Sequence, residues 1–214
     1  MRRRGPTTRL LAAVYLCVAA ATTTASAASP QQLYAACAAC HGTRGEGNPG
    51  LNAPAIAGQH ASYVKRQLEN FRSGVRGSHQ ADVYGAQMRA ANLAVLRDDA
   101  TLDALARYVA ALPPTTVKPA AKFDARNGNN LYQGKCGACH GGRAEGNEAL
   151  AAPRLSALDA AYLTRQLKHF RDGVRGKHPQ DKYGRQMSLM APLLAADRDI
   201  ADVIGYIHAA GSTR

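Results

Sequence analysis

Two five-residue segments of this chain, called pentads here, combine two cysteines and a histidine at a spacing that points to chemistry. They read Cys37-Ala38-Ala39-Cys40-His41 and Cys136-Gly137-Ala138-Cys139-His140. In a CxxCH pentad the two thiols can bond to the vinyl groups of a porphyrin, while the adjacent imidazole binds its iron. The sequence therefore predicts two covalently bound haem c groups, each attached by its own pentad.

Each CxxC pair also has simpler interpretations. One pair can act as a thioredoxin-like dithiol, and two pairs can hold one structural zinc ion through four thiolates. Neither alternative requires a histidine after each pair or a repeated candidate for a further axial ligand. Haem attachment is the favoured interpretation, with His41 and His140 as iron ligands.

The pentads belong to an internal repeat with an offset of 99 residues. An ungapped alignment of residues 37–90 with residues 136–189 has 29 identities in 54 positions. Between the copies, Pro113-Pro114-Thr115-Thr116-Val117-Lys118-Pro119 cannot continue a helix. The predicted organisation is a cleaved signal peptide (1–27), a first domain (28–112), a linker (113–123) and a second domain (124–214).

Methionines at equal distances from the pentads are the candidate sixth ligands of the irons. Met88 and Met187 each follow their pentad histidine by 47 residues. A thioether ligand favours the ferrous state, raises the reduction potential and leaves no open coordination position. Met190 competes with Met187, but its counterpart in the first copy is Ala91, so Met187 is preferred.

Histidines offer a different sixth ligand. His79 and His178 recur nine residues before the two methionines, each in a polar, basic, glycine-containing loop where an exposed histidine is the ordinary outcome. Bis-histidine ligation therefore stays the alternative. The remaining histidines, His60, His169 and His208, have no histidine at the repeat offset and are expected on the surface or on helices.

The hydrophobic periodicity is helical in both copies, which predicts an all-α protein of two small domains, each folded around one haem. Apolar residues at three- and four-residue steps predict a terminal helix with Leu102 to Leu112 and another with Ile200 to Ile207. A middle helix is expected from about Ala61 to Phe71, ending before Gly74, and short helices are expected before the pentads.

The amino terminus has the pattern of an export signal. A basic start is followed by an apolar stretch, Leu10 to Ala21, and by a small-residue cleavage site at Ala25-Ser26-Ala27. Cys17 lies inside the apolar stretch and would be removed with it; a lipid on Cys17 is the alternative. Because no other stretch approaches the ~20 apolar residues of a transmembrane helix, a soluble periplasmic protein is predicted.

Several motifs beyond the pentads resemble a known family. They are Pro54 to His60, Tyr63 with Arg66-Gln67-Leu68, and Phe71-Arg72-Ser73-Gly74. With them the sequence resembles the periplasmic dihaem cytochrome c4 family, in which two class I cytochrome c domains are fused in tandem. The resemblance covers essentially the whole mature chain.

This resemblance carries expectations about the haem sites and the partners. In similar domains a proline carbonyl accepts a hydrogen bond from the ligand imidazole, and Pro54 and Pro153, each 13 residues after its histidine, match that position. The family accepts electrons from a quinol-oxidising complex or a dehydrogenase and passes them to a terminal oxidase. It is loosely associated with the membrane.

The charge of the chain bears on its partners. Without residues 1–27, 23 Lys and Arg face 15 Asp and Glu, a formal charge of +8. Four ionised haem propionates would reduce it to about +4. Acidic docking faces on redox proteins or anionic lipid fit this charge, since weak electron-transfer encounters are charge-steered. Nucleic acid does not fit an exported chain that has no supporting motif.

Basic loop residues are candidates for binding the propionates, although such loops are more often simply solvated. The candidates are Arg72, Arg76, Arg171 and Arg175, with the hydroxyls of Tyr84 and Tyr183. Two functional classes remain. The first is a mobile electron carrier, not an enzyme; the second is the cytochrome subunit of a periplasmic dehydrogenase or a dihaem peroxidase-like enzyme.

Overall fold

The computed structural model describes residues 28–96, 98–120 and 122–212, so the proposed signal peptide lies outside the described residues. Within them the chain is helical, and its β-structure consists of two isolated bridges, Asn48 with Ala53 and Asn147 with Ala152. The helices are α1 (Pro30–His41), α2 (Ala61–Ser73), α3 (Val83–Val95), α4 (Asp99–Ala111), α5 (Ala125–Lys135), α6 (Gly137–His140), α7 (Ala160–Arg171), α8 (Lys182–Met190) and α9 (Asp197–Ser212). Short 3₁₀ turns occur at Pro49–Leu51 and Ala191–Leu193.

The repeat determines how the helices pack. In the first half α1 and α2 both pack on α4, and in the second half α5 and α7 both pack on α9. Equivalent tyrosine pairs join the first and last helices: Tyr34 with Tyr108, and Tyr132 with Tyr206, at ring-centroid distances of 5.3 and 5.4 Å. Such tilted aromatic pairs stabilise the fold by more than the burial of their apolar area alone.

Each half has its own apolar core. The residues that make up the first core are Tyr34, Leu68, Leu96, Leu102, Leu105 and Val109. The second core is built on α9, and its fully buried members include Tyr132, Ile200, Val203 and Ile207. The predicted apolar faces of the terminal helices are therefore confirmed. Gly74 ends α2 in the left-handed conformation that favours glycine, as the sequence indicates.

Two helices were missing from the sequence-based expectation. Helices α3 and α8 carry Met88 and Met187, in segments for which the sequence predicted no helix. Asp82 and Asp181 cap them by accepting hydrogen bonds from the backbone amides of Gly85 and Gly184, at 3.0 and 2.8 Å. No helix in the described part of the chain is long and apolar enough to cross a membrane.

The crossing of α5 and α9 requires a glycine. A β-carbon at Gly128 would overlap the carbonyl oxygen of Asp202, whereas one at Gly134, on the same helix, would meet nothing within 4 Å. We expect Gly128→Ala to lower the free energy of unfolding by about 1–3 kcal/mol, the usual cost of overpacking. Gly134→Ala should raise it by about 0.5–1 kcal/mol through helix propensity. Denaturant unfolding of the haem-loaded protein checks both, and equal effects would contradict the crossing geometry.

Candidate haem sites

The first pentad ends helix α1, and its two cysteines and its histidine lie on one side of that helix. Its spacing of three and four residues places Cys37, Cys40 and His41 close together at the end of the helix. Gly42 follows with a φ of 80°, and its carbonyl accepts a hydrogen bond of 2.7 Å from the hydroxyl of Tyr34. The end of the pentad is thus held by the core of its own half.

The second pentad has nearly the same arrangement. The helix is interrupted at Cys136, which ends α5 and precedes α6, and the pentad continues along α6 to His140. The Tyr132 hydroxyl donates to the carbonyl of Gly141 at 2.7 Å, as Tyr34 does to Gly42. The same tyrosine contact therefore fixes both pentads.

The two pentad histidines are buried and oriented by prolines. His41 Nδ1 lies 2.8 Å from the carbonyl oxygen of Pro54, and His140 Nδ1 lies 3.0 Å from that of Pro153. Because a carbonyl oxygen only accepts, Nδ1 must carry the proton, which leaves the Nε2 lone pair available to a metal. Burial lowers the pKa of both imidazoles, against the opposing effect of the proline hydrogen bonds. The lowered pKa favours the neutral form of each ring, which is the form that can bind iron.

The cysteines do not have the properties of a redox dithiol. Cys37 and Cys136 are half-buried, and Cys40 and Cys139 are exposed. Burial, reinforced by the neighbouring cysteine, raises the pKa of Cys37 to about 11, and burial also raises that of Cys136 to about 11. Reactive dithiols need a lowered thiol pKa, so this environment disfavours the thioredoxin-like alternative.

The zinc alternative finds no support in the described ranges. No group of three or more His, Cys, Asp or Glu side chains there is close enough to hold a metal ion together. The two pairs of thiols belong to separate halves, each beside its own histidine. A single four-cysteine site is therefore not formed.

A largely apolar cavity adjoins the first pentad. Its wall includes Cys37, Cys40, His41, Pro54 and Met88. The apolar side chains that complete the wall include Val64, Leu68, Phe71, Val95, Leu96, Leu105 and Val109. The cavity has thiols at one edge, an imidazole and a thioether in its wall, and apolar side chains around them. Such a site suits a macrocycle attached through thioether bonds.

The structure separates the methionine candidates. Met88, on α3, packs against the first core and lines the same cavity as His41. In the second half Met187 is half-buried, while Met190 is exposed at the end of α8. Their burial favours Met187 over Met190 as the equivalent of Met88.

Comparison with known proteins identifies the family. The family model described as cytochrome c matches the chain twice, at residues 27–113 and 125–211. Cytochrome c4 of Azotobacter vinelandii is 31% identical over 185 residues, which cover 81% of this chain and 84% of that protein. The chain belongs to the cytochrome c4 family.

Two further relatives agree with the family. The crystal structure of reduced recombinant cytochrome c4 from Pseudomonas stutzeri superposes with a TM-score of 0.67 at 26% identity, covering 84% of this chain and 95% of that one. A thiosulfate dehydrogenase electron acceptor of Stutzerimonas stutzeri is 30% identical over 161 residues, which cover 70% of this chain and 69% of that protein. The chain is thus built from two tandem cytochrome c domains, as predicted, and is a dihaem electron-transfer protein with two covalent haem c groups.

The alternative histidine ligands are oriented towards their own backbone. His79 is exposed, and its Nδ1 accepts a hydrogen bond of 3.1 Å from the amide of Ala81. His178 is bonded in the same way to the amide of Gln180, at 3.2 Å. His79 also does not line the cavity of the first half. The geometry therefore favours methionine over histidine as the further iron ligand in this chain.

His208 is on a helix, as expected, and is the most buried of the three histidines that have no counterpart in the repeat. His208 lies on α9 and is 1% exposed, and its Nε2 donates to the carbonyl of Leu158 at 2.8 Å. It is a core residue, because the hydrogen bond satisfies the buried ring. His169 is partly buried on α7, 3.6 Å from Asp82 of the other half.

The arginine candidates divide into two kinds. Arg72 and Arg171 form ion pairs with Asp99, and with Asp172 and Asp197, near the protein surface. Arg76 and Arg175 instead lie where the two halves meet, bonded to glutamines.

Sequence reasoning missed Arg66 and Arg165, which also cross between the halves. The rings of Tyr183 and Tyr84 lie against them, with guanidinium-to-centroid distances of 4.4 and 4.6 Å. The available signals were that both arginines are identical between the copies and that Arg66 belongs to a motif shared with the family.

Proposed function

We propose that this protein carries single electrons in the periplasm from a quinol-oxidising complex or a dehydrogenase to a terminal oxidase. The observation that carries the proposal is the pairing of His41 and Met88 on one apolar cavity. An imidazole and a thioether would together bind the iron of a haem whose chemistry is one-electron exchange, with no position left for a substrate. Family membership supports electron transfer as the function, whereas the identities of the electron donor and acceptor are proposed.

The proposed ligands follow the geometry of the sites. We assign His41 and Met88 as the residues that would bind the iron in the first half, and His140 and Met187 as those that would bind it in the second. When bound, the haem supplies one-electron exchange at its iron. The carbonyls of Pro54 and Pro153 hold the imidazoles in one tautomer and orientation, and the apolar walls exclude water. This environment keeps the change of solvation on electron transfer small.

The attachment and boundaries of the domains are proposed on the same basis. The thiols of Cys37 and Cys40 attach the first haem, and those of Cys136 and Cys139 attach the second. The domains comprise residues 28–112 and 124–214, with 113–123 as linker. Residues 113–120 form no helix in the structure, which supports this division. Export through cleavage after Ala27 supplies the compartment in which haem c is attached.

The surface charge supports acidic partners. The proposed mature chain has a formal charge of +8 before the haem carboxylates are counted. An acidic docking face on a redox partner, or an anionic membrane surface, would be attracted over about one Debye length. Association with a membrane would therefore be peripheral and sensitive to salt.

A second candidate function has a specific observation behind it. Relatives named as thiosulfate dehydrogenase electron acceptors are 30% identical to this chain in one case and 32% in another. We therefore keep, as the alternative, a cytochrome dedicated to a periplasmic dehydrogenase. A dihaem peroxidase-like enzyme is less well supported, because it needs an iron that is open to substrate.

A kinetic experiment separates these functions. The reduced, haem-loaded protein is mixed in a stopped-flow instrument with membranes that contain a terminal oxidase, and separately with carbon monoxide or hydrogen peroxide. We expect rapid oxidation by the membranes in the presence of oxygen, slowed by added salt, and little carbon monoxide binding. Rapid stoichiometric carbon monoxide binding or peroxide turnover would support an enzyme. Reduction by thiosulfate dehydrogenase, but not by quinol-oxidising membranes, would support the dedicated acceptor.

A further inference from the structure

One amide side chain of the first half pairs with the backbone of the second half. Gln59 lies just before α2 and is 4% exposed. Its Oε1 accepts a hydrogen bond of 3.1 Å from the backbone amide of Arg154, and its Nε2 donates to the carbonyl oxygen of the same residue. Because a backbone amide only donates and a carbonyl only accepts, the two bonds fix which end of the Gln59 side chain is oxygen.

The peptide bond that Gln59 contacts also holds the histidine of the second pentad. Its carbonyl group belongs to Pro153 and accepts the hydrogen bond of 3.0 Å from His140 Nδ1, whereas its N–H group belongs to Arg154. One peptide unit therefore accepts from His140 at its oxygen and donates to Gln59 at its nitrogen. The result is a continuous chain of hydrogen bonds from a side chain of the first half to the pentad imidazole of the second.

The first half has no equivalent of this chain. The residue at the repeat offset from Gln59 is Leu158, whose side chain has no hydrogen-bonding group, and the counterpart of Arg154 is Ala55. Among the described residues, none accepts a hydrogen bond from the backbone amide of Ala55. The two proline carbonyls that hold the pentad histidines therefore differ in what lies behind them.

Other hydrogen bonds hold the same two segments together. Arg154 Nε donates to the carbonyl oxygen of Gly58 at 3.2 Å, and the hydroxyl of Ser62 donates to Glu148 at 2.8 Å. Both bonds join the halves, but neither involves the peptide bond between Pro153 and Arg154. The bond of Ser62 is therefore a matched control, since it crosses the same contact outside the chain of hydrogen bonds.

Hydrogen bonds in such a chain strengthen one another, because each bond polarises the group that it shares with the next. An acceptor at the amide of Arg154 increases the negative charge on the carbonyl oxygen of Pro153. That oxygen then holds the Nδ1 proton of His140 more strongly, which makes the imidazole a more basic ligand. A more basic ligand favours ferric over ferrous iron and so lowers the reduction potential.

We propose that Gln59 of the first half is a positioning residue for His140 of the second half, and that it lowers the reduction potential of the second haem. Leu158 provides no such acceptor for the first haem site. Gln59 thus contributes a difference in potential between two sites that the repeat makes otherwise similar. The inference rests on the proposed binding of iron by His140, and it is independent of which proteins exchange electrons with the chain.

The proposal is tested with purified, haem-loaded Gln59→Leu, which gives the first half the residue that the second half has at this position. We expect the reduction equilibrium of the second haem to shift about two- to fourfold towards the ferrous form, or about 20–35 mV to higher potential. Spectroelectrochemical titration measures the shift, and the second haem is identified as the one whose wave Met187→His displaces.

The sign of the shift separates the proposal from a merely structural role. A contact between the halves that only became looser would admit water to the second haem site. Water stabilises the more highly charged ferric form and would lower the potential instead.

A spectroscopic measurement reports the hydrogen bond itself. In the diamagnetic ferrous protein, the Nδ1 proton resonance of His140 should move upfield in Gln59→Leu as its hydrogen bond weakens. The amide proton of Arg154 should move in the same direction. Gln59 also borders the first haem cavity, so the potential of the first haem is not a control. The Nδ1 proton of His41 is the internal reference and should stay in place.

Two further variants separate the amide group from folding and from contact between the halves. Gln59→Met keeps an unbranched side chain of similar length without the amide, and should give the same shift even if Gln59→Leu fails to fold. Ser62→Ala removes the hydrogen bond to Glu148 and should leave the second haem potential and the His140 proton unchanged.

Three results would overturn the proposal. One is a second haem potential that stays in place or falls in both Gln59 variants. Another is an equal shift in Ser62→Ala. The last is a higher potential with no change in the His140 proton, which would place the effect elsewhere. A His140 proton without the ring-current shift of an axial imidazole would refute the ligand assignment itself, and the inference with it. Since no partner protein is present, failure of the proposed electron donor or acceptor would not affect these measurements.

Discussion

Met88→His is expected to lower the reduction potential of one haem by a sizeable part of the roughly 0.8 V range that axial haem ligands span. The thioether of Met88 faces the cavity of His41, and a soft sulfur ligand stabilises the ferrous state more than an imidazole does. The second haem should keep its potential. Spectroelectrochemical titration of the purified protein measures both, and the near-infrared band from methionine to ferric iron should fall by about half.

Matched variants in the second half test the ligand assignment there. Met187→His should remove the other half of the near-infrared band, whereas Met190→Leu, at the exposed end of α8, should leave the spectrum and both potentials unchanged. Loss of the band in Met190→Leu would assign Met190 as the ligand. A full band in Met88→His would refute the assignment in the first half and leave His79 to be tested in its place.

The double substitution Cys37→Ala and Cys40→Ala should remove one haem from the protein. No thioether bond can form in the first half, so the mass should fall by one haem and the visible absorbance by about half. The apolar wall around His41 would also lose the group that it encloses, and the first half should unfold at a lower denaturant concentration. Mass spectrometry under denaturing conditions and a denaturant titration provide the measurements.

The equivalent double substitution of Cys136 and Cys139 is the matched control. It should remove the other haem and destabilise the second half, leaving the absorbance of the first haem. A protein that keeps two covalent haems after either change would contradict attachment by that pentad. A protein that binds zinc in proportion to its intact CxxC pairs would revive the metal-site interpretation.

Helices α3 and α8, which the sequence did not predict, show where hydrophobic periodicity fails to predict a helix. Periodicity predicted α2, α4 and α9 because each buries an apolar stripe against its own core. The fully buried residues of α3 are Gly85 and Asn92, and its apolar Met88 and Val95 are only partly buried against the core, so its apolar stripe is incomplete. Its beginning depends on the cap formed by Asp82, which is a single residue in a polar segment. A local signal of this size is easily read as loop.

The amino-acid sequence alone determined the chemistry of this protein: two haem c groups, a duplicated helical domain and a repeated histidine and methionine pair. These features depend on residue types at short, fixed spacings, since haem c attachment uses two thiols for the vinyl groups and an adjacent imidazole for the iron. Only the tertiary structure decided that the carbonyls of Pro54 and Pro153 accept hydrogen bonds from the imidazoles. It also decided that His208 is buried and which arginines lie at the contact between the halves. The contact between the halves joins residues 85 to 113 positions apart, whose meeting depends on how two folded domains are oriented. No local pattern of the sequence contains that orientation.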